Sequence, residues 1–301
     1  MKTFKTSLLF LLILATALQD VSLANPPQKF LDENEDCSEE KNLKILSWNI
    51  YMLPPIVAMT GRRERAHAIV EQLKNSDFDV IVFQEAFHHA VRNIISNGLK
   101  EIFPYHYGPA NAGGFSIKIS SGVWVLSRTP LKVLNTTKFT NCHGIDCWAR
   151  KGAMLLEGEF NGKKIQLLGT HLQADGFDEI RLKQMDQIYE ELLATYKQDG
   201  VPQIICGDMN TEEEMTRHYC EMLECLDAQD GDISSIEKCS YDGVNNEIAQ
   251  SFGAKKKMNY DYILVRNNGL KIKSVKRFVN ILKKGKKHLS DHYGVICELK
   301  F

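Results

Sequence analysis

No Cys-x-x-Cys pair occurs anywhere in this chain, so a cysteine-ligated zinc site has no framework. There is no Gly-x-Ser-x-Gly elbow and no phosphate-cradling P-loop, which leaves serine-hydrolase and nucleotide-kinase chemistry without a motif. Charge of neither sign is in excess: 37 Lys+Arg against 38 Asp+Glu give −1 at pH 7. A chain so near neutrality is not a generic polyanion binder, and attraction to a charged surface must come from a local patch. Beyond the first residues no apolar run is long enough to cross a bilayer. No linker interrupts the later chain, so residues 42–301 read as one domain.

The first residues carry a processing signal rather than fold. Lys2 and Lys5 form a positive segment, Ser7 to Leu18 is apolar, and Ser22-Leu23-Ala24 fits a small-x-small cleavage site. Residues 1–24 are therefore expected to be a signal peptide, and the mature protein to be secreted. Cleavage removes two cations and one anion, moving the charge from −1 to −2. Residues 25–41, acidic and carrying Pro26-Pro27, read as a flexible lead. Secretion puts the eight cysteines in an oxidising compartment. Cys142 and Cys147 bracket a short turn and suit a small closed loop. One pair among Cys220, Cys225 and Cys239 is expected, while Cys206 and Cys297 lie in apolar runs and read as buried thiols. Cys37, in the acidic lead, could reach any of these, and connectivity cannot be deduced from sequence. Asn135-Thr136-Thr137 is a glycosylation sequon relevant only to a eukaryotic secretory path.

Strand and helix patterns alternate. Leu43 to Trp48, Val80 to Phe83, Val123 to Leu126, Leu131 to Phe139, Ala153 to Phe160, Ile165 to Gly169 and Gln203 to Cys206 read as strands. Tyr262 to Val265, Ile272 to Val279 and Tyr293 to Leu299 close the series, and Asn161-Gly162 signals a hairpin. Helical spacing appears around Ala66–Leu73, Val91–Leu99, Leu182–Tyr196 and Glu213–Glu224; the stretch on to about Gly253 reads as loop. Paired strands interrupting β–α alternation favour a mixed-sheet α/β protein, with two sheets face to face and helices outside.

Polar residues gather at the ends of these runs: Asn49, Glu85, His171, Asp208, Asn210, Asp291 and His292, with Asp261 at a strand start. Strand ends in layered α/β folds are where sites are built. Alone, a glutamate at a strand end is a solvated charge; beside Asn49 it supplies the oxygen set that Mg²⁺ takes. His292 is the candidate general base, with Asp261, on the strand expected to neighbour the last one, accepting its second N–H. Asp291 points away from His292 on an extended backbone, toward a metal or a loop. Asp208 and Asn210, two apart, point the same way if extended, to hold the attacking water and a phosphoryl oxygen. His171 can donate to the phosphoryl or leaving oxygen. Phosphoryl transfer is mostly positioning and charge neutralisation, so no covalent nucleophile is needed.

Taken in order, Trp48-Asn49, Gln84-Glu85, Thr170-His171-Leu172, Gly207-Asp208-Met209-Asn210, Tyr260-Asp261-Tyr262 and Ser290-Asp291-His292 resemble the endonuclease/exonuclease/phosphatase superfamily over about residues 41–301. Asn49-Ile50-Tyr51-Met52-Leu53-Pro54, Lys151-Gly152 and His171-Leu172-Gln173-Ala174 look like its secreted neutral, Mg²⁺-dependent sphingomyelinases. The resemblance implies a deoxyribonuclease-like, four-layer α/β/β/α sandwich. It implies Glu85, Asn49 and Asp291 at or near a Mg²⁺ that Mn²⁺ or Co²⁺ could replace. His292, His171, Asp208, Asn210 and Asp261 would be catalytic, and Lys151, matching a family lysine, would neutralise phosphoryl charge. It further implies a monomer that hydrolyses sphingomyelin to ceramide and phosphocholine at a membrane, with no nucleic acid partner. Ser120-Ser121 stand where some bacterial members carry an acidic pair for an edge metal. Tyr51 and Phe115 are candidate aromatic faces for a choline cation. Phe278, Lys283 and Lys284, in a basic-apolar stretch without tryptophan, are candidate membrane contacts. A secreted Mg²⁺-dependent nuclease of the same fold, and a non-catalytic membrane-binding module, are the competing readings.

Overall fold

Two sheets of unequal width hold the chain together, each covered by helices on its outer side. The structure, a computed structural model, describes residues 42–54, 61–113, 119–174, 176 and 178–301. The signal peptide, the lead, Cys37 and Phe115 lie outside the described residues. In chain order come β1 (Leu43–Asn49), α1 (Arg62–Leu73), β2 (Val80–Gln84), α2 (His89–Leu99), β3 (Tyr105–Tyr107), β4 (Trp124–Ser127), β5 (Leu131–Lys138), β6 (Gly152–Phe160) and β7 (Lys163–His171). Next are α3 (Asp178–Ile188), which runs on as a π-helix over Tyr189–Ala194, then β8 (Gln203–Asp208) and α4 (Thr216–Cys225). The last part holds β9 (Asp232–Ile233), β10 (Tyr241–Asp242), α5 (Glu247–Ser251), β11 (Lys257–Met258), β12 (Asp261–Arg266), β13 (Ser274–Asn280), β14 (Lys283–Lys284), β15 (Lys287–His288) and β16 (Gly294–Lys300).

The wider sheet has the order β3-β4-β2-β1-β16-β13-β9, the narrower β12-β8-β7-β6-β5. Strand alternation explains the near-continuous apolar runs. Leu43 and Ile45 of β1 and Val80 and Val82 of β2 face the other sheet, where they meet Ile204 and Cys206 of β8 and Ile263 of β12. Leu46, Trp48, Ile81 and Phe83 point the other way, onto Ala66, Ile69 and Leu73 of α1 and Val91 and Ile95 of α2. On the far side Leu155, Leu168, Ile205 and Leu264 pack under Met185, Ile188, Leu192 and Met222. Central strands buried on both faces have no polar side to alternate with. The layers are therefore α/β/β/α, as the resemblance implied.

Gly169 marks how closely the sheets approach: a Cβ there would lie 2.9 Å from Val123 Cγ1 and 3.0 Å from Val82 Cγ1. Gly169→Val is expected to lose about 1–3 kcal/mol through overpacking. Urea unfolding measures this directly, and an unchanged midpoint would show that the gap tolerates a side chain. The Asn161-Gly162 hairpin is present, both residues having positive φ, 51° and 72°, as a two-residue turn of that type requires.

Several expectations change. The stretch before Gly253 contains α5 and short strands; Asn246 caps α5 by accepting from the N–H groups of Ile248 and Ala249. A five-residue helix held by its cap and neighbours leaves too little periodicity to detect. Asp261 does not sit on a strand neighbouring the last one: β12 pairs with β8, whereas β16 lies between β1 and β13 in the other sheet. Cys142 and Cys147 are joined. Cys220, Cys225 and Cys239 are all free, so no pair forms among them; Cys225 and Cys239 point at carboxylates of Asp186 and Glu237 instead. Cys206 and Cys297 are buried free thiols.

Candidate functional site

The two-sheet geometry delivers its polar residues to one edge. β1 and β2 run parallel, with Asn49 beside Gln84, and β7 and β8 run parallel, with His171 beside Asp208. β12 starts antiparallel with Asp261 opposite Asp208, and β16 begins beside Ser47 just after His292. Asn49, His171, Asp208 and Asp261 share the strand parity of the inter-sheet core, so the gap between the sheets opens at this edge into a cleft. Its volume is about 840 Å³, and Glu85, His171, Asp208, Asn210, Asp291 and His292 are among its lining residues.

His292 forms the centre. Its Nδ1–H donates to Asp261 Oδ2 at 2.7 Å, and its Nε2 lies 3.7 Å from Asp208 Oδ2. The partners meet across the inter-sheet gap rather than along one sheet. Trp48 Nε1–H donates to the His292 carbonyl at 3.0 Å and fixes the loop before β16. Burial opposes charge on this ring, but Asp261 and Asp208 outweigh it and raise the imidazole well above its usual range. Asp261 itself is pushed up to about 6 by burial, against the pull of His292. The two shifts describe one shared proton, and the histidine is the site the geometry favours, since both its nitrogens face carboxylates.

His171 behaves oppositely. Burial, then the charge of Lys151, lower it to about 4, so the ring is neutral. Lys151 Nζ donates to His171 Nε2 at 3.2 Å, to the Leu172 carbonyl at 2.8 Å and to Asp146 Oδ2 at 2.8 Å. Asp208 accepts from Asn49 Nδ2 at 3.0 Å and from the Asn210 backbone N–H at 3.0 Å. Burial works against its charge, yet His292 and His171 hold it below the usual carboxylate range. Asn210 reaches the cleft through a left-handed turn, φ 49°, not the extended backbone expected. Its Nδ2 donates to the Leu172 carbonyl at 3.2 Å. Tyr51 and Glu85 also have positive φ, 49° and 55°, so three strand-end residues of the cleft carry strained backbone.

Glu85 is the residue that asks for a partner. One oxygen accepts from Asn49 Nδ2 at 3.3 Å, while Oε2 is buried without a hydrogen bond. Burial and then the Asp291 charge push it up to about 7. Asp291, also raised by burial, takes the Ser290 hydroxyl at 3.1 Å. An orphaned carboxylate oxygen, a second crowded carboxylate and the Asn49 amide oxygen, which among the described residues accepts from the Tyr51 N–H at 3.1 Å, fit a hard divalent cation. Asp208, Asp261 and His292 also bring ligand atoms within 4.8 Å of one another. That trio is tied together by the Asp261–His292 hydrogen bond, whereas the Glu85 oxygen has no hydrogen bond among the described residues.

Lys151 lies in the cleft beside these residues, and so does Tyr51, though the guanidinium of Arg65 stands 5.4 Å from its ring centroid and occupies one face. Phe278, Lys283 and Lys284 do not line the cleft. Sequence reasoning missed Arg65, whose Nη1 donates to the carbonyls of Ile50 and Leu289 at 2.9 and 2.7 Å and pins both loops. It also missed Asp146, which anchors Lys151, and Tyr241, whose ring centroid is 4.9 Å from that of His292. Only Asp146 left a signal, its place inside the Cys142–Cys147 turn.

A two-sheet sandwich with acids, amides and histidines crowded at one strand edge defines the deoxyribonuclease-like class of α/β proteins. The chain belongs to the Endonuclease/Exonuclease/phosphatase family, whose pattern it matches over residues 46–292. It is 30% identical over 259 residues to "Sphingomyelinase C 2" of Leptospira interrogans, covering 76% of this chain and 40% of that protein. It is 26% identical over 253 residues to "Phospholipase C" of Staphylococcus aureus, covering 76% and 75%. The chain thus spans less than half the length of the Leptospira relatives. Among solved structures, sphingomyelinase C from Streptomyces griseocarneus superposes with TM-score 0.76 at 23% identity, over 85% of this chain and 99% of that one. Beta toxin from Staphylococcus aureus with bound magnesium ions gives 0.77 at 22%, over 86% and 100%. Truncated TDP2 from Caenorhabditis elegans gives 0.67 at 20%, over 87% and 100%.

Proposed function

We propose that this chain is a secreted, divalent-cation-dependent phosphodiesterase that hydrolyses sphingomyelin to ceramide and phosphocholine, acting as a monomer at a membrane surface. The observation that carries the reading is the pairing of an unsatisfied, buried Glu85 oxygen with a His292–Asp261 couple in one cleft. Relatives named sphingomyelinase C and phospholipase C support the substrate class. The sequence supports residues 1–24 as a signal peptide, 25–41 as a lead and 42–301 as the catalytic domain.

Glu85, Asn49 and Asp291 would hold the cation, Mg²⁺ by its preference for oxygen, with Mn²⁺ or Co²⁺ as substitutes. When bound, it supplies Lewis-acid polarisation and neutralises phosphoryl charge. Asp208 and the Asn210 amide orient the attacking water. His292 Nε2, with Asp261 fixing the other ring nitrogen, takes the proton from that water. The surrounding carboxylates, Asp261 and Asp208 foremost, favour a proton on His292, and positive charge beside the ring would oppose that hold. Lys151 places positive charge beside the phosphoryl group; neutral His171 would donate to a phosphoryl or leaving oxygen through Nε2 only in the tautomer that gives up the Lys151 hydrogen bond.

The test offers the mature protein sphingomyelin vesicles and supercoiled plasmid in one reaction with Mg²⁺. Phosphocholine and ceramide with intact plasmid is the expected outcome. Nicked plasmid without phosphocholine would transfer the same residues to nuclease chemistry.

A further inference from the structure

Of the large apolar side chains left exposed among the described residues, Ile236, Val244, Tyr105, Val133 and Ile281 lie away from the cleft, while the other five line it, Ile119 among them. Ile145 is 71% exposed, Trp148 62%, Phe252 55% and Met215 47%. All four line the cleft, and they come from three separate segments: the disulfide-closed turn, the approach to α4 and the end of α5. Phe252 packs edge-on against Tyr51, their ring centroids 5.3 Å apart, but Ile145, Trp148 and Met215 belong to none of the three core clusters. Exposed patches of this kind mark interaction sites.

Charge near the rim indicates what it meets. Arg150, Arg217, Lys255 and Lys256 follow the rim residues within a few positions, and Asp178 and Glu212 line the same opening. Both signs are present at the opening, so neither a purely anionic nor a purely cationic surface is matched throughout. A zwitterionic lipid surface, with phosphate and ammonium layers over hydrocarbon, matches apolar tips surrounded by both signs. Tryptophan is at home in that layer.

We infer that this rim, led by Ile145 inside the loop closed by Cys142–Cys147 and Trp148 just after it, is the face that seats the protein on a zwitterionic bilayer. The contact is assigned to this rim rather than to the basic hairpin at Lys283–His288, which does not line the cleft. The inference rests on the phosphodiesterase reading only in taking the cleft as the end that must face lipid. The loop also reaches inward. Asp146 lies between Ile145 and Cys147, and its Oδ2 accepts from Lys151 Nζ at 2.8 Å and from the Ala174 N–H at 2.7 Å. Asp146 is therefore a positioning residue: the loop that meets lipid also holds the lysine beside His171.

The experiment separates the two ends of the loop. Trp48 and Trp124 are buried, so among the three tryptophans Trp148 is the exposed reporter. With EDTA present to prevent turnover, phosphatidylcholine vesicles should blue-shift its emission, and brominated phosphatidylcholine should quench it. Ile145→Ser and Trp148→Ala, read by vesicle sedimentation, should weaken partitioning about tenfold or more. Both should keep wild-type melting temperature and hydrolysis of bis(p-nitrophenyl) phosphate, a water-soluble diester. The Lys283→Glu/Lys284→Glu variant should partition as wild type. Asp146→Asn should do the reverse of the rim variants, keeping vesicle binding while kcat on the soluble diester falls, with rescue by Asp146→Glu. Unchanged partitioning of Trp148→Ala, loss in the hairpin variant, or binding only to phosphatidylserine vesicles would overturn the inference. Rim-dependent binding by a protein that releases no phosphocholine would instead reject the substrate assignment and leave this surface standing.

Discussion

Glu85→Gln is expected to yield a folded, inactive protein that melts higher than wild type at pH 8 in chelator. The activity loss follows if Glu85 is the cation ligand proposed above, whose charge the substitution removes, and a fall of about 10³-fold or more is expected. The stability gain follows from the pKa. Folding raises the Glu85 carboxyl from 4.5 to about 7, chiefly by burial. The folded state therefore binds this proton more tightly than the unfolded state. The resulting stability is present below pH 4.5 and is lost as pH rises through 7. One pKa unit is worth about 1.4 kcal/mol. Because the residue's edge faces the open cleft, the penalty above pH 7 is set at about 1–3 kcal/mol, or a few degrees of melting temperature. Glutamine keeps the oxygen that accepts from Asn49 and removes the buried charge; its amide N–H stands where Oε2 has no partner among the described residues, which offsets part of the gain. The advantage should vanish near pH 4, and Mg²⁺ should raise the melting temperature of wild type but not of the variant. Equal melting at pH 8 without metal would mean that Glu85 is well solvated and not a poised ligand.

His292→Ala is expected to reduce kcat about 10²–10⁴-fold, the range for loss of a general base. Asp261→Asn is the more discriminating change. Asp261 is a chief cause of the raised His292 pKa, and its Oδ2 fixes the ring through Nδ1. Asparagine can still accept the hydrogen bond but removes the charge, so the imidazole releases its proton at lower pH. The acid limb of the kcat profile should move to lower pH while the plateau falls. Asp261 Oδ1 is buried without a partner, so the substitution also places an amide N–H where nothing accepts it, and some stability is lost. A lower plateau with an unmoved acid limb would make Asp261 a structural carboxylate and His292 something other than the titrating base.

The strand ends were legible because this edge repeats one pattern. An apolar run followed by a polar residue, as in Val80–Gln84 then Glu85, identifies both a buried strand and its outlet. Which outlets meet was only partly legible. Asp261 and His292 do pair, but across the gap between sheets, because sheet membership depends on pairings such as β12 with β8 that local pattern does not encode. Asn210 faces the cleft by a left-handed turn, a backbone choice that nothing in Gly207-Asp208-Met209-Asn210 announces. Arg65 was invisible for a different reason: on a helix full of arginines, burial alone separates the one that pins two loops from those in solvent. The lysine-rich hairpin drew attention by charge, while the apolar rim did not, because Ile145, Met215 and Phe252 are isolated in sequence and meet only in the fold.

The most direct measurement is phosphocholine release from sphingomyelin vesicles by the mature protein, first with Mg²⁺, then with EDTA, then with Mg²⁺ restored. Release that stops with chelation and returns with the ion is expected, and Glu85→Gln should show none in any of the three conditions. Release that persists in EDTA, or that survives in Glu85→Gln, would contradict a cation-dependent site built on Glu85.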